Sequence, residues 1–122
     1  MNGWKVLLVD DETEFVTTLA ERLNLRGITT SIATNGKEAL TLIRADRPDV
    51  VVLDILMPGL GGLAVLDQIR TTDPKIKVIL LTGRGAIYED DHKVPPGAFA
   101  FLIKPVNIDD LIEKMREALN AS

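Results

Sequence analysis

No cysteine occurs among the 122 residues, which excludes disulfides, thiol chemistry and any Cys-containing metal site. Histidine is nearly absent as well: with His92 alone, a zinc or copper centre has almost no ligands to draw on. No apolar stretch approaches the ~20 residues that a membrane span requires. The N-terminal Met1-Asn2-Gly3-Trp4-Lys5 lacks a charged segment followed by a long apolar run and a small-residue cleavage site. A cytoplasmic location without membrane contact is therefore expected. Clusters of Lys and Arg are missing too, and with a net charge of −4 this argues against direct nucleic-acid binding, which needs concentrated positive charge against phosphates.

What is present is an ordinary globular balance, 46 % hydrophobic and 26 % charged. A chain of this length has room for one packed core and not for two, so residues 1–122 are read as a single domain. No internal repeat, low-complexity tract or linker interrupts it. Apolar runs of strand length recur at Val6-Leu7-Leu8-Val9, Val50-Val51-Val52-Leu53, Val78-Ile79-Leu80-Leu81 and Phe99-Ala100-Phe101-Leu102-Ile103. Unbroken apolar runs indicate strands covered on both faces, as in a parallel sheet. Thr29-Thr30-Ser31-Ile32-Ala33 is β-branched but more polar, and reads as a fifth strand at a sheet edge.

Segments of helical period lie between the runs. Phe15, Val16, Leu19 and Leu23 make one stripe, Ala39, Leu40 and Ile43 a second, Val65, Leu66 and Ile69 a third. The clearest is Ile108, Leu111, Ile112, Met115 and Leu119. Capping signals precede three of them: Asp11 with Glu14, Asn35 with Glu38, Asn107 with Asp110. Strand and helix alternate, which implies an α/β fold with a doubly wound parallel sheet and right-handed crossovers. The fourth of the five expected helices is short or irregular. It is confined to about Ala86 to Val94, because Pro95 and Pro96 cannot continue it and Gly83 and Gly85 open it loosely.

In a parallel sheet the residues just past the strand ends collect along one edge, where open α/β folds bind their ligands. Polar features follow four of the apolar runs directly: Asp10-Asp11, Asp54, Thr82 and Lys104. Carboxylates gathered from Asp10, Asp11 and Asp54 repel one another unless a cation neutralises them. Oxygen-only ligands suit a hard ion such as Mg²⁺, with Mn²⁺ as the alternative. A hydroxyl from Thr82 and an ammonium from Lys104 facing that place would stabilise a phosphoryl group in transit, and Asp54 would be the carboxylate nucleophile.

These residues resemble the receiver domains of two-component response regulators, the chemotaxis-regulator-like, flavodoxin-like fold, over essentially the whole chain. Val9-Asp10-Asp11-Glu12 resembles the acidic-pair motif and Leu53-Asp54-Ile55-Leu56-Met57-Pro58-Gly59 the phosphoacceptor motif. Thr82 matches the family's hydroxyl, and Gly97-Ala98 through Phe101 to Lys104-Pro105 resembles its last-strand motif. The resemblance implies a five-stranded sheet of order 2-1-3-4-5 flanked by five helices, the order coming from the family and not from the periodicity of this sequence. It also implies metal ligation by Asp11, Asp54 and the Leu56 carbonyl, with Asp10 acting directly or through water. Thr82 and Lys104 would contact the phosphoryl oxygens, Phe101 would be the aromatic switch that turns with Thr82, and the Lys104-Pro105 peptide is often cis in relatives. The implied partners are a sensor histidine kinase or phosphotransfer protein and a downstream protein target, for a monomer or a phosphorylation-dependent dimer. The domain is then no turnover enzyme and catalyses only its own phosphorylation and dephosphorylation.

Plainer readings stand beside these. Asp11 and Glu14 serve equally as helix caps, Phe101 as core, Lys104 as a surface lysine, His92 as a solvated side chain, and Trp4 as packing at the far end of the sheet. Departures from the family pattern are Gly61 in place of Asp, Gly83 after Thr82, and Pro95-Pro96, which puts the signalling surface in question. Leu56 and Arg84, each two residues past a site residue, are expected to slow dephosphorylation. The chain stops just after the last helix, so no attached output domain is expected, as in a stand-alone regulator or a piece of a longer hybrid kinase. An aspartate-nucleophile phosphohydrolase is the enzymatic rival, but it needs a second Asp where Leu56 stands. A binding module that is never phosphorylated is the other. A nucleotide site is weaker still, since Gly59-Leu60-Gly61-Gly62 lacks the lysine and spacing of a phosphate-cradling loop.

Overall fold

The computed structural model describes residues 3–83 and 94–121. In chain order these form β1 (Lys5–Val9), α1 (Thr13–Leu25), β2 (Thr29–Ala33), α2 (Gly36–Ala45), β3 (Val50–Asp54), α3 (Gly62–Thr72), β4 (Lys77–Thr82), β5 (Ala100–Ile103) and α4 (Ile108–Asn120). Every strand pair is parallel and the sheet order is β2-β1-β3-β4-β5, as the resemblance implies. The helix expected between β4 and β5, over about Ala86 to Val94, lies outside the described residues apart from Val94.

Alternation along each strand divides the core into two layers. Val6 and Leu8 of β1 face one way, with Val16, Leu19 and Leu23 of α1 and Leu111 and Met115 of α4. Leu7 and Val9 face the other, with Ala39 of α2 and Val65, Leu66 and Ile69 of α3. Both faces are therefore apolar, which is why the central strands read as unbroken hydrophobic runs. β3 is buried along its whole length, and each fully enclosed Val or Leu there contributes on the order of 1.5–3 kcal/mol. The polar strand β2 lies at an edge and is only partly covered.

Local chemistry fixes the helix starts. At α2 the Asn35 side chain accepts from the Glu38 N–H (2.8 Å), and Glu38 reaches back to accept from the Thr34 N–H (2.8 Å). The pairing of Asn35 and Glu38 thus caps that helix from both sides. Asn107 accepts from the Asp109 and Asp110 N–H groups at the start of α4. The expected cap of α1 by Asp11 and Glu14 is corrected: Glu12 occupies the N-cap position and no side chain bonds the first turn. Asp10 organises that entry instead, its Oδ1 accepting from the Glu12 N–H at 2.8 Å.

At the opposite end of the sheet Trp4 packs on the α1–α4 layer. There Lys5 pairs with Asp46 at 2.6 Å, and its backbone N–H donates to Asp49. The base of the sheet is thus tied by ions well away from the strand tips.

Candidate functional site

The strand register delivers the polar residues to one rim. β1, β3 and β4 end in Val9, Asp54 and Thr82, while Lys104 follows β5. The pairing continues one residue beyond the strands: the Ile55 N–H donates to the Leu81 carbonyl and the Lys104 N–H to the Thr82 carbonyl, at 3.1 and 2.8 Å. Those two bonds hold the nucleophile candidate and the lysine beside β4.

Asp10, Asp54 and Thr82 are the buried polar residues of the described chain. Asp54 Oδ1 accepts from the Leu56 N–H at 3.0 Å. Its pKa stands above the ordinary carboxylate value: burial raises it most, the Leu56 N–H works against that, and the Asp10 and Asp11 charges reinforce it while Lys104 opposes them. An acid in this setting is held at its limit of charge and favours any added cation.

Lys104 is the cation present. Its Nζ lies 2.5 Å from Glu12 Oε1, 2.8 Å from Asp10 Oδ2 and 3.6 Å from Asp54 Oδ2, and 4.7 Å from the centre of the Phe15 ring. Burial disfavours its charge, yet the bonds to Asp10 and Glu12 outweigh that and hold its pKa above the ordinary lysine value. Oxygens of Asp10, Glu12 and Asp54 all come within 4.8 Å of one another. Among the described residues Asp10 Oδ2 is the one buried side-chain oxygen without a well-aligned hydrogen bond. A buried oxygen of this kind, beside the Asp54 carboxylate, fits a hard divalent ion.

The sequence-predicted residues fall as follows. Asp10, Asp54 and Lys104 come together. Thr82 is buried at the same rim, its hydroxyl donating to the Gly83 carbonyl at 3.3 Å. Leu56 supplies its N–H to Asp54 and leaves its side chain exposed. Asp11 is exposed and is not one of the three converging acids, although its charge is felt at Asp54. Phe101 is half-buried against the layer that contains Val9 and Leu53. The Lys104–Pro105 peptide is cis. Arg84 and His92 lie outside the described residues. Sequence reasoning gave no role to Glu12, although a signal existed. Alternate residues of an extended chain point the same way, so continuing β1 past Val9 puts Asp10 and Glu12 together and Asp11 apart.

The response regulator receiver domain family matches residues 6–116. The chain is a response regulator receiver domain. Among its relatives, response regulator MprA of Mycolicibacterium vanbaalenii is 38 % identical over 115 residues, covering 94 % of this chain and 50 % of that protein. MprA of Mycobacterium ulcerans is 37 % identical over the same shares. This receiver domain thus spans about half the length of the curated relatives it matches. Among solved structures, a response regulator receiver domain from Clostridium thermocellum has a TM-score of 0.88 at 32 % identity, covering 97 % of this chain and 95 % of that one. The receiver domain of NtrX from Brucella abortus has a TM-score of 0.87 at 35 % identity, with 96 % and 99 % covered. Receiver domains of this family serve two-component signalling. None of the helices described here is long and apolar enough to cross a membrane.

Proposed function

We propose that this receiver domain takes a phosphoryl group onto Asp54 and alters its partner-binding surface in consequence. The observation that carries the reading is the meeting of Asp10, Asp54 and Lys104 within ion-pair distance at a rim that Thr82 also reaches. The donor is a phosphohistidine of a sensor histidine kinase or phosphotransfer protein, or a small acyl phosphate. A lone pair of an Asp54 carboxylate oxygen attacks phosphorus and the P–N bond of the phosphohistidine breaks; with an acyl phosphate the P–O bond breaks instead and a carboxylate leaves. With the phosphohistidine the electron pair stays on the imidazole nitrogen, which takes a proton from water. The product is an acyl phosphate of about −2 charge where a carboxylate of −1 stood.

Asp10, Asp11, Asp54 and the Leu56 carbonyl are the groups that would hold Mg²⁺, or Mn²⁺ in its place. When bound, such an ion supplies neutralising charge beside the transferring group. Lys104 contributes a positive charge and Thr82 a hydroxyl to the phosphoryl oxygens, the electrostatic positioning that dominates phosphoryl transfer. Drawing Thr82 and Lys104 toward the new dianion moves the ends of β4 and β5, and Phe101 on β5 turns with them. This biases a pre-existing equilibrium between two surfaces, with couplings typically of ~1–3 kcal/mol. The reader of the new surface is a downstream protein.

The test is mass spectrometry after incubation with acetyl phosphate and Mg²⁺. The wild-type chain is expected to gain one phosphoryl group and Asp54→Asn none. An adduct on both proteins would assign the acceptor elsewhere, and an adduct on neither would favour a module that is never phosphorylated.

A further inference from the structure

We propose that Glu12 is a positioning residue that parks the Lys104 ammonium away from Asp54 and competes with the incoming phosphoryl group for it. The inference rests on the reading of Asp54 as phosphoacceptor and extends it to a residue with no role in that reaction so far.

The geometry makes the competition explicit. Lys104 Nζ sits 2.5 Å from Glu12 Oε1 but 3.6 Å from Asp54 Oδ2. The ammonium therefore bonds Glu12 and Asp10 and stands back from the carboxylate whose phosphoryl group it must later meet. The Phe15 ring supports it from α1. Glu12 is free to act as a releasable partner, because its side chain is 62 % exposed and caps nothing. Asp10 is not, being 1 % exposed and fixed by the Glu12 N–H. When the dianion forms, it offers Lys104 a stronger partner than a solvated monoanion. Glu12, whose own side chain is 62 % exposed, then swings into water, where its carboxylate is solvated. Until that moment Glu12 does two things that slow the reaction: it withholds the ammonium and places a negative charge at the mouth through which an anionic donor arrives.

The fold does not depend on the Glu12 side chain. The N–H that Asp10 bonds belongs to the backbone, so Glu12→Gln preserves the turn. Three measurements define the test, made on the whole chain with acetyl phosphate as donor. Wild type must first become phosphorylated on Asp54; its failure would sink the functional reading itself, separately from this one. Given that, Glu12→Gln is expected to raise the second-order rate constant of phosphorylation about two- to fivefold, the scale of one exposed ion pair. A gain below twofold, or a loss, overturns the role.

Glu12→Asp separates contact from charge. It keeps the negative charge but shortens the arm by one methylene, too far to hold the ammonium without moving the start of α1. It is expected to recover at least half of the gain seen with Gln, whereas wild-type behaviour would mean that simple repulsion and not parking is at work. Calorimetric titration with Mg²⁺ supplies the third arm. Glu12→Gln is expected to bind the ion within about threefold of wild type, the change that one uncoordinated surface charge brings. A greater loss assigns Glu12 to the ion and overturns the proposal.

Discussion

Leu56 leaves its side chain 63 % exposed close to Asp54, the proposed acceptor, while its N–H is committed to that carboxylate. An apolar side chain there cannot orient a water for attack on the acyl phosphate, so the phosphorylated state is expected to be long-lived. Leu56→Asn should hasten phosphate loss about three- to tenfold, less than the ~10²-fold of a true general base because an amide only orients. Following phosphate loss by mass spectrometry after removal of the donor checks this; an unchanged rate would refute the explanation. A second outcome concerns Asp54 itself. Because burial holds its folded pKa above the ordinary value, the charged carboxylate opposes folding at neutral pH. In chelator, Asp54→Asn should unfold at higher temperature than wild type. The advantage is full above the raised folded pKa, shrinks as pH falls through it, and vanishes below the ordinary carboxylate range near ~4, where both states of wild type are protonated. Added Mg²⁺ should narrow the gap by stabilising the wild type more. At this scale the site was only partly legible in the sequence. Asp54, Thr82 and Lys104 directly follow apolar runs, so their rim position could be read from the sequence. Strand alternation past Val9 already separates Asp11 from Asp10 and Glu12, but the bond from the Glu12 N–H that fixes Asp10 is not displayed by residue order.

The elements that carry the site press on one another through glycine. A Cβ on Gly62, at the start of α3, would come 2.3 Å from the Asp54 carbonyl oxygen and 2.5 Å from Ile55 Cα. Both are backbone atoms that cannot swing aside. Gly62→Ala is therefore expected to cost about 1–3 kcal/mol in urea unfolding, the usual penalty of overpacking, and to slow phosphorylation by shifting the end of β3. Gly36 at the start of α2 meets the Leu60 carbonyl in the same way, at 2.4 Å. Cap loss makes a milder comparison: Asn35→Ala should cost ~1 kcal/mol without touching the phosphorylation rate. Helix boundaries were readable where side chains do the capping, as at Asn35 and Asn107. At α1 the signal of Asp11 and Glu14 misled, because Glu12 takes the N-cap position and no side chain bonds the first turn there. The need for Gly36 and Gly62 came from contacts between elements distant in sequence, to which local patterning is blind.

For the molecule as a whole, the parallel direction of the strands followed from the apolar runs and their order from the family resemblance alone, and both faces of the sheet carry helices as the unbroken hydrophobic pattern requires. Charge pairs gather at the two ends for different ends. Arg47 and Asp73 pair at the base, where the Arg47 bond holds the Asp73 carboxyl below its ordinary pKa. Stability from that pair is present above the ordinary carboxylate range and lost as pH falls through the lowered folded value. Arg47→Ala should therefore narrow its stability deficit against wild type in acid, and high salt should shrink the deficit further, since the pair is solvent-exposed.

Asp54 terminates a strand enclosed by β1 on one side and β4 on the other and covered above and below. Were Asp54 to take up the proposed phosphoryl group, such a post would have nowhere to go. The strain would be handed outward, to whichever loops and strand tips have room to yield. Amide hydrogen exchange should accordingly leave Val51, Val52 and Leu53 equally slow before and after modification, with every change in rate confined to the periphery.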